Sequence, residues 1–272
     1  MYNKIQETVK FLKEKGLNNI DFGIVLGTGL GNLVNIIDVK IRIPYKEIPN
    51  FPVSTVAGHS GALIYGQLGG KTVIAMQGRF HFYEGWEMDE VTFPIRVMKF
   101  LGIKNLIVSN ASGGVNPKFK VGDIMIISDH INMVPSHPLR GANDERLGPR
   151  FVDMHEPYNL KMIATVEAIA KQKGIALQKG IYLGLQGPTF ETPAEYKMVS
   201  LLGADAVGMS TVPEVIVAKH MDMQCFGLSV ITDLGIEGKV EVVSHEAVQK
   251  AAKASEKNIG DLVEAFVSSW SN

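Results

Sequence analysis

The chain has 272 residues, 46% hydrophobic and 20% charged, with a formal net charge of −1. That length suits one large domain or two small ones, with apolar residues enough for a sizeable core. The near balance of charge gives no bulk case for nucleic acid or an anionic membrane surface as partner. A single cysteine, Cys225, excludes an intrachain disulfide framework and fits a reducing compartment. No apolar run approaches the roughly 20 residues of a membrane span, and the first twelve residues lack the continuous apolar segment of a signal peptide. The expectation is a soluble, cytoplasmic protein.

In chain order, residues from about Tyr2 to Lys15 read as an amphipathic helix. Ile5, Val9 and Leu12 fall on one face, and Gly16 supplies a C-terminal stop. Phe22–Leu26 is an apolar run of the kind that forms a buried strand, leading into Gly27-Thr28-Gly29-Leu30-Gly31. Further strands are expected near Leu63–Tyr65, Thr72–Met76, Asn105–Val108, Ile124–Ser128, Ala176–Leu185 and Met223–Ile231. Helices are expected near Asp89–Leu101, Asn159–Lys173, Pro193–Leu202, Val212–Met221 and His245–Ser269. This interleaving predicts an α/β fold with a largely parallel or mixed sheet. Residues 135–157 break the pattern with prolines, glycines and charges, and a loop that long inside a compact domain serves a function or an interface. No repeat, linker or composition shift marks a boundary, so a single domain over residues 1–272 is expected.

Several stretches carry chemistry. The glycine-rich turn at Thr28 follows a strand and frees backbone N–H groups for an anion. Its spacing is G-x-G-x-G, which departs from a dinucleotide fingerprint, and no lysine follows as a P-loop requires. In Gly78–Gly85, continued extension would put Arg79, His81 and Tyr83 on one face and Phe80 and Phe82 on the other. A fixed cation, an imidazole and a phenol in a row suit an anion beside a hydroxylated ring; the same pattern also describes a half-exposed edge strand. Asn110-Ala111-Ser112-Gly113-Gly114 repeats the strand-then-glycine-turn arrangement. Thr211 and Glu214 stand as a capping box, placing Ser210 just before a helix N-terminus, where free amides and the macrodipole favour an anion, with Met209 as an adaptable apolar neighbour. Thr192 and Glu195 form a second box with Pro193 at the first helical position, leaving Glu191 spare beside Phe190. A carboxylate there suits ring N–H groups, with an aromatic face for stacking, though alone it reads more readily as a solvated loop acid. Thr232-Asp233 closes a strand, at the end where open α/β sheets gather ligands. The seven histidines lack metal-ligand spacing, and no G-x-S-x-G elbow is present. Cys225, inside an apolar run, reads as a buried structural thiol.

Taken together, these stretches resemble the trimeric, low-molecular-mass class of purine nucleoside phosphorylases nearly end to end. The matching segments are Gly27–Gly31, Gly58-His59-Ser60-Gly61, Arg79–Gly85, Asn110–Gly114, Pro138–Arg146, Phe190–Glu195 and Gly208–Glu214. The resemblance implies a mixed central sheet flanked by helices, a homotrimer, and reversible phosphorolysis of purine nucleosides to free base and α-pentose 1-phosphate. It implies no cofactor and no metal, with inorganic phosphate as co-substrate. Thr28, Arg79, His81, Ala111 and Ser210 would hold phosphate, with His59 close by. Tyr83, Met209 and His245 would line the pentose, and Phe151 would reach into the neighbouring subunit's site. Phe190, Glu191 and Asp233 would contact the purine, with Glu84 orienting His81. His245 would orient the 5′-hydroxyl.

Asp233 departs from the family pattern, where relatives that prefer 6-oxopurines usually carry Asn. An ionised Asp only accepts hydrogen bonds, so it would repel O6 and take a bond from a 6-amino group. Keeping it neutral at pH 7 means a rise of roughly three units from about 3.9, or about 4 kcal/mol. Glu191 pulls the other way, since it suits the N1–H of hypoxanthine or guanine. The expectation is inosine and guanosine, with adenosine open. The alternatives are a 5′-methylthioadenosine phosphorylase, against which Ser210 and the Arg79–Gly85 stretch speak, and a non-catalytic nucleoside sensor.

Overall fold

The structure, a computed structural model, describes residues 1–28, 30–53, 61–236, 238 and 240–271. Nine strands form one sheet: β1 (Phe22–Leu26), β2 (Asp38–Pro44), β3 (Ala62–Leu68), β4 (Lys71–Gln77), β5 (Asn105–Gly114), β6 (Ile124–Asn132), β7 (Gln178–Gly184), β8 (Ala206–Gly208) and β9 (Gln224–Leu234). The helices are α1 (Tyr2–Glu14), α2 (Met88–Val91), α3 (Phe93–Phe100), α4 (Leu160–Lys173), α5 (Pro193–Leu201), α6 (Val212–His220) and α7 (His245–Ser269).

The sheet order is β2-β3-β4-β1-β5-β8-β7-β6-β9, and β9 pairs back onto β5. That last pairing closes β5, β8, β7, β6 and β9 into a ring, while β2, β3, β4 and β1 extend as an open wing. Pairing is mixed: β1 runs parallel to β4 and β5, β5 to β9, and β7 to β6 and β8, whereas β2–β3, β3–β4, β5–β8 and β6–β9 are antiparallel. β1 is buried along its whole length, which is why it reads as an unbroken apolar run. The core continues into α7 through Ile259, Leu262, Val263 and Phe266. Each long helix matches its sequence pattern: Ile5, Val9 and Leu12 are the buried face of α1, Asn159 caps α4 by accepting the Met162 N–H at 2.9 Å, and Gly174 ends it at φ 67°.

Four expectations need correction. The helix expected over Asp89–Leu101 is two helices, because Pro94 has no N–H to donate and Thr92 turns its hydroxyl onto the Met88 carbonyl at 2.7 Å. The strand expected to stop at Val108 runs on to Gly114, so Asn110–Gly114 is not a turn: β9 pairs with it throughout, with an irregularity at Ser112/Gly113. β2 was not anticipated, since its mostly exposed Asp-Val-Lys-Ile-Arg edge carries little apolar signal. β8, only three residues long, was legible as an apolar segment and not as a strand. Residues 133–159 contain no helix or strand, as the sequence indicated. No helix among the described residues is long and apolar enough to cross a membrane.

Candidate active site

The carboxyl ends of β1, β4, β5, β8 and β9 converge on a cavity of about 330 Å³, large enough for a small ligand. Thr28, Arg79, His81, Tyr83, Ala111, Phe190, Glu191, Met209, Ser210, Asp233 and His245 all line it. These residues span the chain from position 28 to 245, and the fold alone brings them together. Of the three other candidates, Glu84 sits behind His81, and His59 lies outside the described residues. Phe151 is 89% exposed, on the rim of a separate depression with Arg140 and Arg150.

Gly27 makes the anion end possible. A Cβ there would meet the Ser109 carbonyl oxygen at 2.5 Å and Asn110 Cα at 2.8 Å, so only glycine lets the β1 turn lie against β5. Arg79 follows β4 and is 1% exposed. Its guanidinium is held in a two-pronged pair, Nη2 to Glu214 Oε2 at 2.6 Å and Nε to Oε1 at 3.2 Å, and Nη1 donates to the Ser109 carbonyl.

Glu214 was expected to close a capping box with Thr211, and it does not. Thr211 takes φ 72°, ψ −53°, makes no side-chain cap, and the Val212 N–H bonds the Ser210 carbonyl at 2.7 Å. This is a tight γ-turn, strained for a β-branched residue. It frees Glu214 for Arg79 and puts Ser210 at the cavity wall. The Thr211 hydroxyl takes the Asn110 Nδ2–H at 2.8 Å and lies 3.2 Å from Ser210 Oγ. Asn110 in turn accepts from Ser229, which lies 2.6 Å from Ser112 Oγ. Because Ser229 commits its proton to Asn110 Oδ1, Ser112 is the donor in that pair. A directed chain of side chains thus runs under the cavity floor from β5 and β9 to Ser210.

The extension expected after Met76 also fails: Gly78 turns at φ 106° and Phe82–Glu84 is a 3₁₀ turn. Phe80 enters the core against Tyr45 and Phe51, while Phe82 stays half-buried. The turn nevertheless stacks His81 on Tyr83, ring centroids 4.7 Å apart at 16°. Glu84 Oε1 lies 2.9 Å from His81 Nδ1 and also accepts the His81 backbone N–H at 2.9 Å. Burial holds the imidazole below its ordinary value, against the pull of the Glu84 hydrogen bond. The neutral ring that donates Nδ1–H to Glu84 keeps Nε2 as an acceptor.

At the other end stand two carboxyls. Tyr196 on α5, 2% exposed, donates from Oη to Asp233 Oδ2 at 2.9 Å, and Thr232 donates to Oδ1 at 3.0 Å. Burial raises the Asp233 pKa, opposed by those two hydrogen bonds. Burial likewise raises Glu191, its own backbone N–H opposes that, and the Asp233 charge adds to the rise. The capping box of Thr192 and Glu195 forms as expected, leaving Glu191 at the cavity. Phe190 keeps 40% of its surface open at the rim. His245 opens α7, with Nε2 3.0 Å from Gln249 Nε2. Among the described residues no group of three or more His, Cys, Asp or Glu gathers as metal ligands.

Sequence reasoning missed Glu214 as the Arg79 partner, Tyr196 behind Asp233, and Asn110 and Ser112 as polar floor. A tyrosine four places into a helix reads as packing, and only the tertiary fold shows its hydroxyl to be committed.

An α/β sheet with an arginine–hydroxyl anion end, a stacked His–Tyr pair and a carboxyl-lined aromatic end defines a nucleoside- and anion-handling enzyme site. The chain matches the phosphorylase superfamily over residues 21–268. It is 49% identical over 263 residues to purine nucleoside phosphorylase 1 of Geobacillus stearothermophilus, covering 97% of this chain and 96% of that protein. Among solved structures it superposes on Schistosoma mansoni purine nucleoside phosphorylase in complex with adenosine with a TM-score of 0.94, at 37% identity and 99% and 98% coverage of the two chains. A Schistosoma purine nucleoside phosphorylase in complex with hypoxanthine matches with the same score, identity and coverage. The chain belongs to the purine nucleoside phosphorylase family of that superfamily.

Proposed function

We infer that the chain catalyses reversible phosphorolysis of purine nucleosides and deoxynucleosides, giving free base and α-pentose 1-phosphate, through one nucleoside phosphorylase domain over residues 1–272. The observation that carries this reading is one cavity lined both by Thr28, Arg79, His81 and Ser210 and by Phe190, Glu191 and Asp233. Phosphate takes hydrogen bonds from Thr28, Ser210 and the backbone at Ala111, and His81 Nε2 accepts the one O–H of hydrogen phosphate. Arg79 lies behind them as a fixed cation whose charge its Glu214 partner offsets. Tyr83, Met209 and His245 enclose the pentose, His245 holding the 5′-hydroxyl. Phe190 stacks on the base, whose edge meets Glu191 and Asp233.

The C–N bond breaks ahead of phosphate attack, so positive charge develops on the sugar. The bound dianion faces that charge, stabilises it and then forms the new bond from the opposite face. Most of the acceleration is positioning and electrostatics, because both reactants are held on a fixed sheet edge. The exposed Phe151 reaches a neighbouring subunit's site in a homotrimer, which gives residues 133–159 their role. The enzyme needs no metal or organic cofactor, and acts in the cytoplasm. Arg79, His81 and Ser210 lining one cavity speaks against a sensor that has lost its phosphate site.

The test is release of hypoxanthine, guanine and adenine from inosine, guanosine and adenosine by purified protein, with and without phosphate. Phosphate-dependent release of base with stoichiometric pentose 1-phosphate is the expected result. Release without phosphate, or none with any substrate, overturns the reading.

A further inference from the structure

We propose that Glu191 and Asp233 hold one proton between them, and that the Tyr196 hydroxyl, donating to whichever is ionised, lets the same pocket take 6-oxo- and 6-aminopurines. The inference rests on the purine-nucleoside reading above and specifies its substrate range. Tyr196 is a positioning residue: it lies behind the cavity and acts through the carboxyls.

The geometry is that of a donor between two acceptors. Tyr196 Oη bonds Asp233 Oδ2 at 2.9 Å, and Glu191, facing the same cavity, shares hydrogen bonding with that hydroxyl. The ring is locked in place: a Cβ at Gly235 would fall on it, and one at Gly113 would meet its Cε1 and Oη at 3.3 Å and Asp233 Oδ2 at 2.9 Å. A tyrosine hydroxyl has one proton to give. Two ionised carboxylates around it leave one without that donor in a buried site, and repel each other; two neutral carboxyls offer a base N–H only a weak carbonyl acceptor in place of a charged one. One proton on the pair satisfies every group. Burial raises both carboxyls, as a retained proton requires. The other charged group facing Glu191 is Glu195, which is committed to the Thr192 cap on the exposed side of α5.

The two placements of that proton are complementary to the two classes of base. With Asp233 protonated and Glu191 ionised, Tyr196 donates to Glu191. Asp233 then donates to O6 of a 6-oxopurine and Glu191 accepts its N1–H. With the proton on Glu191, Tyr196 donates to Asp233, Glu191 donates to N1 of adenine, and Asp233 accepts from the 6-amino group. Conversion breaks one carboxyl O–H, passes the proton to Tyr196 Oη, and moves the tyrosine proton to the other carboxyl. No proton is gained or lost, and the pair carries one negative charge in both forms. The cost that neutral Asp233 would bear alone is thereby shared.

The experiment measures kcat/KM for inosine and adenosine with phosphate in wild type, Tyr196→Phe, Asp233→Asn and Glu191→Gln. It adds calorimetry of hypoxanthine and adenine binding at pH 7 in two buffers of different ionisation enthalpy, which counts protons exchanged. Wild type is expected to cleave both nucleosides and to bind both bases with no net proton exchange. Tyr196→Phe removes the donor that either carboxylate uses when ionised, so kcat/KM falls by about tenfold for both nucleosides, the worth of one hydrogen bond to a charged group, and the inosine-to-adenosine ratio moves less than in the amide variants. The amides fix one placement each: Asp233→Asn raises the inosine-to-adenosine ratio and Glu191→Gln lowers it, each by about tenfold or more. An undiminished kcat/KM for either substrate in Tyr196→Phe, inert adenosine in wild type, amide variants that leave the ratio unchanged, or proton uptake with either base overturns the shared proton. If no nucleoside is cleaved at all the phosphorylase reading falls instead, and the calorimetric count still decides the proton question.

Discussion

Glu214→Ala should destabilise the protein severely, and Glu214→Leu combined with Arg79→Met should not. Arg79 is 1% exposed and Glu214 3%, and the two are joined by bonds of 2.6 and 3.2 Å. Deleting the carboxylate leaves a buried guanidinium without its two-pronged counter-charge. Breaking such a pair costs about 3–5 kcal/mol, whereas replacing both members by apolar groups of similar volume is often close to neutral. Native stability is about 5–15 kcal/mol in total, so the single variant loses a large part of it. With a urea m-value of about 3 kcal/mol/M, the unfolding midpoint of Glu214→Ala should fall by roughly 1–1.7 M. The double variant should recover more than half of that loss while having no phosphate-dependent activity. A single-variant shift corresponding to less than about 1 kcal/mol, or a double variant as unstable as the sum of its singles, would refute the reasoning.

Glu84→Gln should move the His81 titration further below its ordinary value, read by NMR of the imidazole, because Glu84 is what opposes the burial effect; an upward move would contradict the pairing. Burial also depresses His137 and His220, and pushes His130 down to about 4. The unfolded chain therefore binds more protons below pH 6.5, so stability is fully present above that pH and falls as pH drops toward 4. His130→Gln should flatten that slope in thermal melts between pH 7 and 5. Cys225 is buried, with its thiol pushed up to about 12; a thiol reagent at pH 8 should label it only in denaturant. Phe151→Ala should leave unfolding within about 0.5 kcal/mol of wild type, as for an exposed residue, while raising the nucleoside KM, as the proposed reach into a neighbouring site requires. An unchanged KM would remove Phe151 from the neighbouring site.

Periodicity made the long elements legible: the N-terminal helix, the buried strand at Phe22–Leu26 and the long C-terminal helix all stand within a residue or so of their expected bounds. Patterns that depend on local chemistry alone carried less far. Thr192 and Glu195 formed their box because nothing else competes for an exposed carboxylate. The same spacing at Thr211 and Glu214 did not, because a buried cation 135 residues away wins Glu214 and a positive φ turns Thr211 toward Asn110. Sequence spacing cannot rank a local partner against a distant one. Likewise Asn110–Gly114 looks like a turn by composition, yet β9 supplies a full ladder of partners, which makes it strand.

The Arg79–Glu214 pair also bears on how the reaction works. Among the described residues at the anion end, Arg79 contributes one positive charge, Glu214 cancels it, and burial keeps His81 neutral with its Nδ1 against Glu84. In the phosphate site proposed above, the anion is therefore held by directed donors from Thr28, Ser210 and the backbone, with little net positive charge. A strongly cationic cradle would bind the dianion more tightly in every state, lowering KM without raising kcat. Here the dianion keeps its field for the sugar. Two unit charges 4 Å apart interact by about 4 kcal/mol at an effective dielectric of 20, and that attraction exists only once positive charge has developed on the pentose. With the shared proton proposed above, the carboxyls at the far end keep one negative charge, which disfavours an anionic leaving base unless it accepts a proton or a hydrogen bond. Negative charge at both ends with a cation forming between them matches the charge distribution of the transition state, not that of the bound nucleoside.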